Sequence, residues 1–204
     1  AYGARLDGGP LVKGAARFAS LGYAVPGAVL AIGVIIPTAW LDNSVDAAMQ
    51  KFFGIPTGLI LSGTIAAVTI GYVVRFLALS FGTVEASLAK VTSSMDGAAR
   101  TLGKGPGETF FKIHMPLIRG SILTAAILVF VDTMKELPMT IILRPFNFQT
   151  LATFVHQYAS DELLEESALA ALIIVAAGIL PVILLSRTIG KSRPGGKTEL
   201  GEPS

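Results

Sequence analysis

Cysteine is absent from this sequence of 204 residues. Its absence excludes disulfide bonds, thiolate nucleophiles and cysteine-ligated metal clusters from the chain. Charged residues are scarce, at 15% of the chain, whereas an ordinary soluble domain carries about 25%. Hydrophobic residues make up 52% and the mean hydropathy is +0.66, so the composition is that of an integral membrane protein.

The sequence contains long runs without a charged residue. Three windows lack any charged residue: 18–41, 52–74 and 167–186. Each can cross the hydrocarbon layer, which takes about 20 residues in a helix, and none alternates as the strands of a β-barrel do. Together with a more interrupted apolar segment, they predict an all-α membrane protein with four spans, at about 21–41, 55–79, 120–143 and 167–186.

Lysine and arginine alternate in number between the segments that flank the spans. From the N-terminal to the C-terminal segment the counts are 3, 1, 5, 1 and 4. Segments rich in these residues lie on the cytoplasmic side, so we expect both termini and residues 83–119 there. The expected domains are a cytoplasmic segment 1–20, a membrane domain 21–188 and a disordered tail 189–204. Because the basic residues flank spans and form no single patch, membrane lipid is an expected partner and nucleic acid is not.

Two further expectations concern the ends of a span and of the chain. Arg75 lies near the predicted end of the second span, where its long side chain is expected to reach the lipid headgroups. The chain begins at Ala1 without methionine, and its first apolar run is too long for a signal-peptide core and lacks a cleavage site. We therefore expect the chain to begin partway through a larger protein.

Residues 83–119 form the longest polar segment between the apolar runs. Six residues recur in it at steps of four and three, which predicts one helix with an apolar stripe: Val84, Leu88, Val91, Met95, Ala98 and Leu102. Thr83 is placed to cap that helix and Gly103 to end it. Pro106 suits the first position of a second, short helix that ends before Pro116. The segment is thus predicted to be two helices joined by a glycine bend.

The pattern alone favours a solvated hairpin whose stripe packs on the membrane or on its own spans, because amphipathic stripes usually serve packing. The second interpretation is a docking surface for another protein. Docking is favoured by small residues near the bend that basic side chains surround: Ala98, Ala99, Gly103, Gly105 and Gly107, with Arg100, Lys104 and Lys112.

A nucleotide site is not found in the same segment. Gly97 to Lys104 imitates a phosphate-binding loop, but five residues separate Gly97 from Gly103 where that motif has four, and Gly105 replaces the Ser or Thr after the lysine. No nucleophile, base and orienting group occur at a recognisable spacing either. We therefore predict no catalytic residue, and the chain is not expected to be an enzyme.

Charged residues interrupt the third predicted span. Asp132, Lys135 and Glu136 are spaced to share one helical face, and Pro138 is expected to break or kink the helix after them. A charge at the bilayer centre costs at least about 2.5–3.5 kcal/mol on insertion scales, so such residues face a protein interior or a water-filled cavity. Two interpretations stay open: a lining of the substrate path near a gate, or a salt bridge from Asp132 to Lys135 that locks helices or subunits together.

Two further groups of residues are weaker site candidates. The outer loop 144–166 contains donor types that ferric iron accepts, namely His156, Tyr158, Asp161 and Glu162. A solvated acidic face, or a docking patch for a binding protein, is the favoured interpretation, so no metal site is predicted. His114 is expected to be a contact or packing residue of the polar segment.

The polar segment carries a specific resemblance. Gly97-Ala98-Ala99, three residues, Gly103, nine residues and Ile113-His114-Met115-Pro116 resemble the signature loop of the membrane subunits of ATP-binding-cassette (ABC) importers. That signature reads Glu-Ala-Ala, three residues, Gly, nine residues and Ile-x-Leu-Pro. This chain departs from it with Gly97 in place of Glu and Met115 in place of Leu, and Asp96 is a candidate to supply the missing acidic contact.

Two other stretches are similar to ferric-iron importer permeases. They are Leu21-Gly22-Tyr23-Ala24-Val25-Pro26-Gly27, and residues 130–138 (FVDTMKELP) continuing to 143–148 (LRPFNF). With the polar segment, the resemblance covers most of residues 20–188. It implies the core of a type I ABC importer permease, more specifically the C-terminal part of such a subunit, in the bacterial inner membrane.

The resemblance also implies partners and functional residues. A separate cytoplasmic ATPase would bind ATP and magnesium, a periplasmic binding protein would deliver ferric iron, and a second permease half or subunit would complete the pore. The ATPase-coupling residues would be Asp96, Gly97, Ala98, Ala99, Arg100, Gly103, Ile113 and Pro116. The translocation path or gate would comprise Asp132, Lys135, Glu136 and Pro138.

Other functions remain as alternatives. Permeases of similar pattern move thiamine, phosphonates, polyamines or sulfate. An ion-coupled carrier would use Asp132 and Glu136 as a proton relay, and a purely structural membrane partner is a third possibility. Dependence of uptake on ATP, or on a pH gradient alone, distinguishes the first two classes.

Overall fold

The computed structural model describes residues 2–3 and 9–191. They form the helices α1 Pro10–Leu21, α2 Gly27–Phe53, α3 Ile65–Leu88, α4 Ser93–Thr101, α5 Pro106–Thr109, α6 Met115–Met134, α7 Pro138–Leu143, α8 Leu151–Ser160 and α9 Leu164–Lys191. A π-helical turn, Phe110–His114, joins α5 to α6. No strand occurs in this part of the chain, and the predicted all-α class is confirmed.

Four helical segments within these residues are long and apolar enough to cross a membrane: Gly27–Phe53, Ile65–Leu88, Pro106–Met134 and Leu164–Ile183. No more than 28% of the most apolar window of any of them is buried inside the chain. Leucine, isoleucine, valine and phenylalanine side chains therefore cover much of the outer surface. An apolar surface of this extent requires lipid or another subunit around it, and the predicted number of spans is confirmed.

The first two spans differ from their predicted bounds. Helix α2 begins at Gly27 and continues to Phe53, so most of residues 42–54, which the predicted bounds place between the first two spans, is helical. The acidic residues of that stretch anchor the loop that follows. Asp42, which is 1% exposed, accepts hydrogen bonds from the backbone N–H groups of Leu61 and Ser62, at 3.0 and 2.7 Å. The predicted bound at residue 41 was wrong because a charged residue was taken to end the span, whereas Asp42 is buried and bonded to the backbone.

The helical structure is interrupted between α1 and α2, at the point where the chain crosses α3. A Cβ atom on Gly22 would lie 2.2 Å from the carbonyl oxygen of Val74, so only glycine allows this approach of the two backbones. Arg75 follows at the crossing and donates a hydrogen bond to the carbonyl of Val25 at 3.2 Å. Because α3 runs from Ile65 to Leu88, Arg75 lies within the helix, and the prediction that it reaches the headgroups was wrong.

Small residues allow the helices of the main core to pack closely. Helices α2, α3 and α7 meet in a cluster of buried residues: Ala31, Val34, Ala67, Val68, Met139 and Leu143. Gly71 belongs to the same contact, since a Cβ atom there would lie 2.6 Å from Leu143 Cδ1. Beside it, the hydroxyl groups of Tyr72 and Thr140 form a hydrogen bond. Small residues at helix contacts are typical of membrane proteins, where close backbone approach stabilises association.

The predicted single helix over the stripe 84–102 is divided in the structure. Helix α3 ends at Leu88, and α4 begins at Ser93 after an extended Thr92. Leu88 and Val91 are buried against Ile118 of α6, whereas Met95 and Leu102 are 42% and 77% exposed. The helical period continues through the turn, but the first half of the stripe belongs to the core and the second half faces outward.

The ends of the chain also modify the predicted domains. The expected N-terminal segment 1–20 contains most of α1. Helix α9 reaches Lys191, so residues 189–191 are helical and do not belong to a disordered tail. The rest of the predicted tail, 192–204, lies outside the described residues.

Candidate functional site

The predicted glycine bend lies between α4 and α5. Gly103 has φ +72°, the left-handed region that favours glycine. Its N–H group donates a hydrogen bond to the backbone carbonyl of Arg100 at 2.9 Å, and the N–H group of Lys104 donates to the backbone carbonyl of Ala99 at 2.9 Å. This hydrogen-bond pair is the Schellman ending of a helix. Pro106 then occupies the start of α5, so the direction of the chain through the bend is tightly specified.

A mostly apolar groove of about 530 Å³ opens between α4 and the α5–α6 segment. We call it the docking groove. Its lining comprises Met95, Ala98, Ala99 and Leu102 from the α4 side, Thr109, Ile113, Pro116 and Leu117 opposite, and the charged residues Lys104, Glu108 and Lys112. Glu108 Oε1 lies 2.6 Å from both Lys104 Nζ and Lys112 Nζ. An exposed apolar groove with charged groups around it is a surface suited to a protein partner.

Only some of the predicted coupling residues line this groove. Four of them line it: Ala98, Ala99, Ile113 and Pro116. Gly97 and Arg100 are exposed on α4 but do not line it. A Cβ atom on Gly97 would meet nothing within 4 Å, so the structure has space for the glutamate that the importer signature carries at this position.

Asp96 is directed towards His114, with its own side chain 25% exposed. Its Oδ1 atom lies 2.7 Å from His114 Nε2, and His114 is completely buried. One carboxylate oxygen is therefore engaged within the chain, and the idea that Asp96 replaces the missing glutamate contact with a partner stays a prediction. The expectation that His114 is a packing residue is confirmed, but its specific bond to Asp96 could not be found from local sequence, because the two residues lie on different helical elements.

A second cluster of charges surrounds the end of α6. The helix ends at Met134, so Lys135 and Glu136 do not share the helical face of Asp132, and that prediction was wrong. Lys135 Nζ lies 2.9 Å from Asp132 Oδ1, and Tyr23 donates to Asp132 Oδ2 at 3.0 Å. The Asp132–Lys135 ion pair that the sequence analysis allowed is therefore present, and it is a local contact between residues three positions apart.

Glu136 turns the other way, towards Arg75. It is 6% exposed, and its Oε2 atom lies 3.1 Å from Arg75 Nε. A Cβ atom on Gly27 would lie 2.7 Å from Glu136 Oε1, so α2 begins directly against this ion pair. Pro138 starts the new helix α7 and does not kink α6. The predicted third span 120–143 is therefore two helices with a charged break between them.

The two stretches that resemble ferric-iron permeases meet at this break. They and α3 enclose a small cavity of about 220 Å³, lined by Tyr23, Arg75, Phe76, Asp132, Lys135 and Glu136. Arg75 and Tyr23 were missed as site residues. Arg75 carried a usable signal, because a basic residue inside an apolar run normally has an acidic partner within the protein.

The outer-loop candidates do not form a cluster. Within the described ranges, no three His, Cys, Asp or Glu side chains are arranged to hold a metal ion. His156 and Tyr158 lie on α8, which Thr150 caps, and Tyr158 packs on Phe154 at 4.3 Å between ring centroids. Asp161 and Glu162 are exposed, as a solvated acidic face requires.

Comparison with known proteins assigns the chain to a family. The family described as "binding-protein-dependent transport system inner membrane component" matches residues 2–193. The chain belongs to this family. Its members are permease subunits of transport systems, which fits the four membrane-crossing segments and a multi-pass protein of the inner membrane.

Individual relatives of this permease have different substrates in their names. The "Fe(3+)-transport system permease protein FbpB 2" of Haemophilus influenzae is 28% identical over 189 residues, which is 87% of this chain and 34% of the relative. The "Putative 2-aminoethylphosphonate transport system permease protein PhnV" of Salmonella typhimurium is 24% identical over 62% of this chain and 48% of its own length. The "Trehalose transport system permease protein SugB" of Mycobacterium tuberculosis is 25% identical over 80% of this chain and 61% of its own length. The chain thus spans about a third to three-fifths of these relatives.

Proposed function

We propose that this chain is the membrane-spanning part of a permease subunit of an ATP-driven importer, and that its 83–119 segment docks on a separate ATPase. The observation that carries the proposal is the docking groove. It is exposed and mostly apolar, and it lies where the importer signature places the coupling residues. The ATP and magnesium would be held by the ATPase, since this chain has no phosphate-binding loop.

The charge alternation supports an orientation with both termini and the 83–119 segment in the cytoplasm. The groove then faces the compartment that contains ATP. The outer ends of the spans face a periplasmic binding protein that delivers the substrate. The apolar outer surface is covered by lipid and by a second permease half or subunit.

The contacts of the docking groove suggest how movement reaches the spans. One wall of the groove continues without interruption into α6, in a helical segment Pro106–Met134 of 29 residues, about 44 Å at 1.5 Å per residue. The other wall, α4, connects through Val91 to the buried contact of α3 with Ile118. Closure of the ATPase would move both walls and therefore α3 and α6. ATP binding supplies the free energy by favouring one of the two arrangements.

The charged break at the far end of α6 is the proposed gate of the translocation path. Asp132, Lys135, Glu136 and Pro138 contribute to it, and Arg75 is added because it pairs with Glu136. The proposed substrate is ferric iron. The support for iron is the FbpB 2 match over 87% of the chain and the meeting of the two iron-permease-like stretches at this break.

The decisive experiment reconstitutes the complete permease with its ATPase and binding protein in liposomes. We expect uptake of radioactive ferric iron that requires binding protein and internal ATP and that a pH gradient alone does not drive. Uptake driven by the pH gradient without ATP would contradict the importer. ATP-dependent uptake of 2-aminoethylphosphonate or trehalose, with none of iron, would keep the importer and replace the substrate.

Gly103 gives a prediction specific to the bend. A Cβ substituent at φ +72° costs roughly 1–2 kcal/mol, most for β-branched residues and less for asparagine. We expect Gly103→Val to lower ATP-driven uptake at least about fivefold, the low end of coupling effects between sites, and Gly103→Asn to keep most of it. Uptake and ATP hydrolysis measured in the same liposomes test this. If the Gly103→Val permease took up substrate at the wild-type rate, the glycine conformation of the bend would not be required for transport.

A further inference from the structure

The Asp96–His114 pair lies directly behind the docking groove. Asp96 follows Met95 of one wall, and His114 follows Ile113 of the other. The 2.7 Å contact between Asp96 Oδ1 and His114 Nε2 therefore joins the two walls. Neither member of the pair lines the groove itself, so a partner in the groove need not touch them.

Few apolar contacts are available to hold the two walls together. Ala99 is the buried residue of α4, and Thr109 is that of α5. An alanine and a threonine bury too little apolar area to fix the angle between two short helices. A charge-assisted hydrogen bond is directional, and a carboxylate–imidazole contact fixes both separation and orientation.

His114 makes its side-chain hydrogen bond through Nε2 alone. Its Nδ1 atom is buried and has no hydrogen-bond partner among the described residues, and the ring of Tyr2 packs against it at 5.0 Å between centroids. The Tyr2 hydroxyl donates to the carbonyl of Pro106 at 3.0 Å. The imidazole is thus enclosed on one side and directed to Asp96 on the other. It lies at the end of the π-helical turn. Such turns are rare in proteins, and those that occur are often found at functional sites.

We propose that Asp96 and His114 are positioning residues that hold α4 at a fixed angle to the π-helical turn and so preform the docking groove. The proposal rests on the docking role of the groove. Two short elements that are fixed before binding do not have to be ordered by the partner, and a rigid pair transmits a displacement that a loose pair absorbs. Loss of the pair then separates ATP hydrolysis from transport without removing the surface that the ATPase contacts.

The first measurement follows the geometry without transport. This chain has no cysteine, so spin labels on cysteines introduced at the exposed positions Ser93 and Phe111 report the distance between α4 and the π-helical turn. In the complete permease, with any cysteines elsewhere replaced, we expect a narrow distance distribution for the wild type. His114→Gln, whose amide N–H can still reach Asp96, keeps it narrow. His114→Leu and Asp96→Ala broaden it.

The second measurement is the ratio of substrate imported to ATP hydrolysed in liposomes. We expect His114→Leu and Asp96→Ala to lower this ratio roughly fivefold or more, as for other coupled sites, and His114→Gln to restore most of it. All variants should retain the ATPase during purification. Rescue by glutamine separates a specific hydrogen bond from simple packing, because leucine fills the site but cannot donate.

A narrow distance distribution or a wild-type ratio in His114→Leu would overturn the proposal. If His114→Leu does not fold, Asp96→Asn decides the question. Its amide oxygen still accepts from His114 Nε2, so a broad distribution or a low ratio in this folded variant would likewise contradict a positioning bond. A failure of the docking proposal itself appears elsewhere, as ATPase binding that does not depend on residues lining the groove.

Discussion

Replacing Glu136 by leucine is expected to destabilise the subunit by about 3–5 kcal/mol, because Arg75 then stays buried without its counter-ion. The two side chains are only 7% and 18% exposed and lie 3.1 Å apart. Three helices depend on the pair, since Arg75 belongs to α3, Glu136 precedes α7, and α2 begins at Gly27 against both. The measurement is the melting temperature and the yield of the permease purified in detergent. We expect a low yield and an early transition.

Lys135→Met is the matched control, since it removes the neighbouring charge. Lys135 is 64% exposed, whereas Asp132, three residues earlier, is 17% exposed and keeps its hydrogen bond from Tyr23 when the lysine is lost. Because one partner of this pair is solvated, the pair is expected to contribute only about 1 kcal/mol. The control should therefore melt much closer to the wild type than Glu136→Leu does. A second control, Arg75→Met combined with Glu136→Leu, removes both buried charges and should recover much of the lost stability. A Glu136→Leu permease as stable as the wild type would contradict the buried ion pair.

The double variant also distinguishes a gate from a structural lock formed by Arg75 and Glu136. If the pair only locks helices together, a folded Arg75→Met/Glu136→Leu permease transports normally. If the charges form part of the gate, the same folded protein loses uptake. We expect loss, because the pair borders a cavity at the break between α6 and α7, and a break in a span is tolerated where the backbone faces protein or a cavity.

Local chemistry was sufficient to predict much of this architecture. Apolar runs predicted four membrane-crossing segments, since crossing requires length and lack of charge more than specific contacts. The bend at Gly103 was predictable because glycine favours the left-handed region that a helix ending requires. Pro106 was equally informative, as proline suits the first turn of a helix and not its interior.

The features that were missed depend on contacts between distant residues. The stripe 84–102 has the same period on both sides of the turn at 89–92, and only the burial of Leu88 and Val91 against Ile118 reveals that one helix ends there. Asp42 was left outside the first predicted span because nothing local indicates that its carboxylate accepts hydrogen bonds from the backbone near Leu61.

The same limitation applies within the candidate sites. The spacing of Asp132, Lys135 and Glu136 predicts one face only while the helix continues, and the helix ends at Met134. After that point Glu136 pairs with Arg75, which is remote in sequence and close in the fold. Pair contacts of this kind set the positions of charged groups, and periodicity carries no information about them.

Replacing Ala98 by tryptophan is expected to abolish docking of the ATPase without harming the fold. Ala98 is exposed and lines the docking groove, so a large side chain there occupies space that the partner needs but displaces no core residue. A surface substitution of this type usually changes stability by no more than about 0.5 kcal/mol. In the groove, the indole would exclude partner groups, and loss of a single dominant interface contact costs about 2 kcal/mol or more, which is over tenfold in affinity. The purified permease should melt normally, lose its ATPase and import no substrate.

Ser93→Trp provides the control for bulk on the same helix. Ser93 is exposed at the start of α4 and does not line the groove, so this variant should retain the ATPase and most of the uptake. Single cysteines at the same two positions give an independent test, because cross-linking to the ATPase should occur from position 98 and not from position 93. If Ala98→Trp purified with a full complement of ATPase, the docking groove would not be the contact surface. The apolar wall formed by Met95, Ala98 and Leu102 would then have to be covered by lipid or by the chain's own spans, which is the solvated-hairpin alternative that the sequence also allowed.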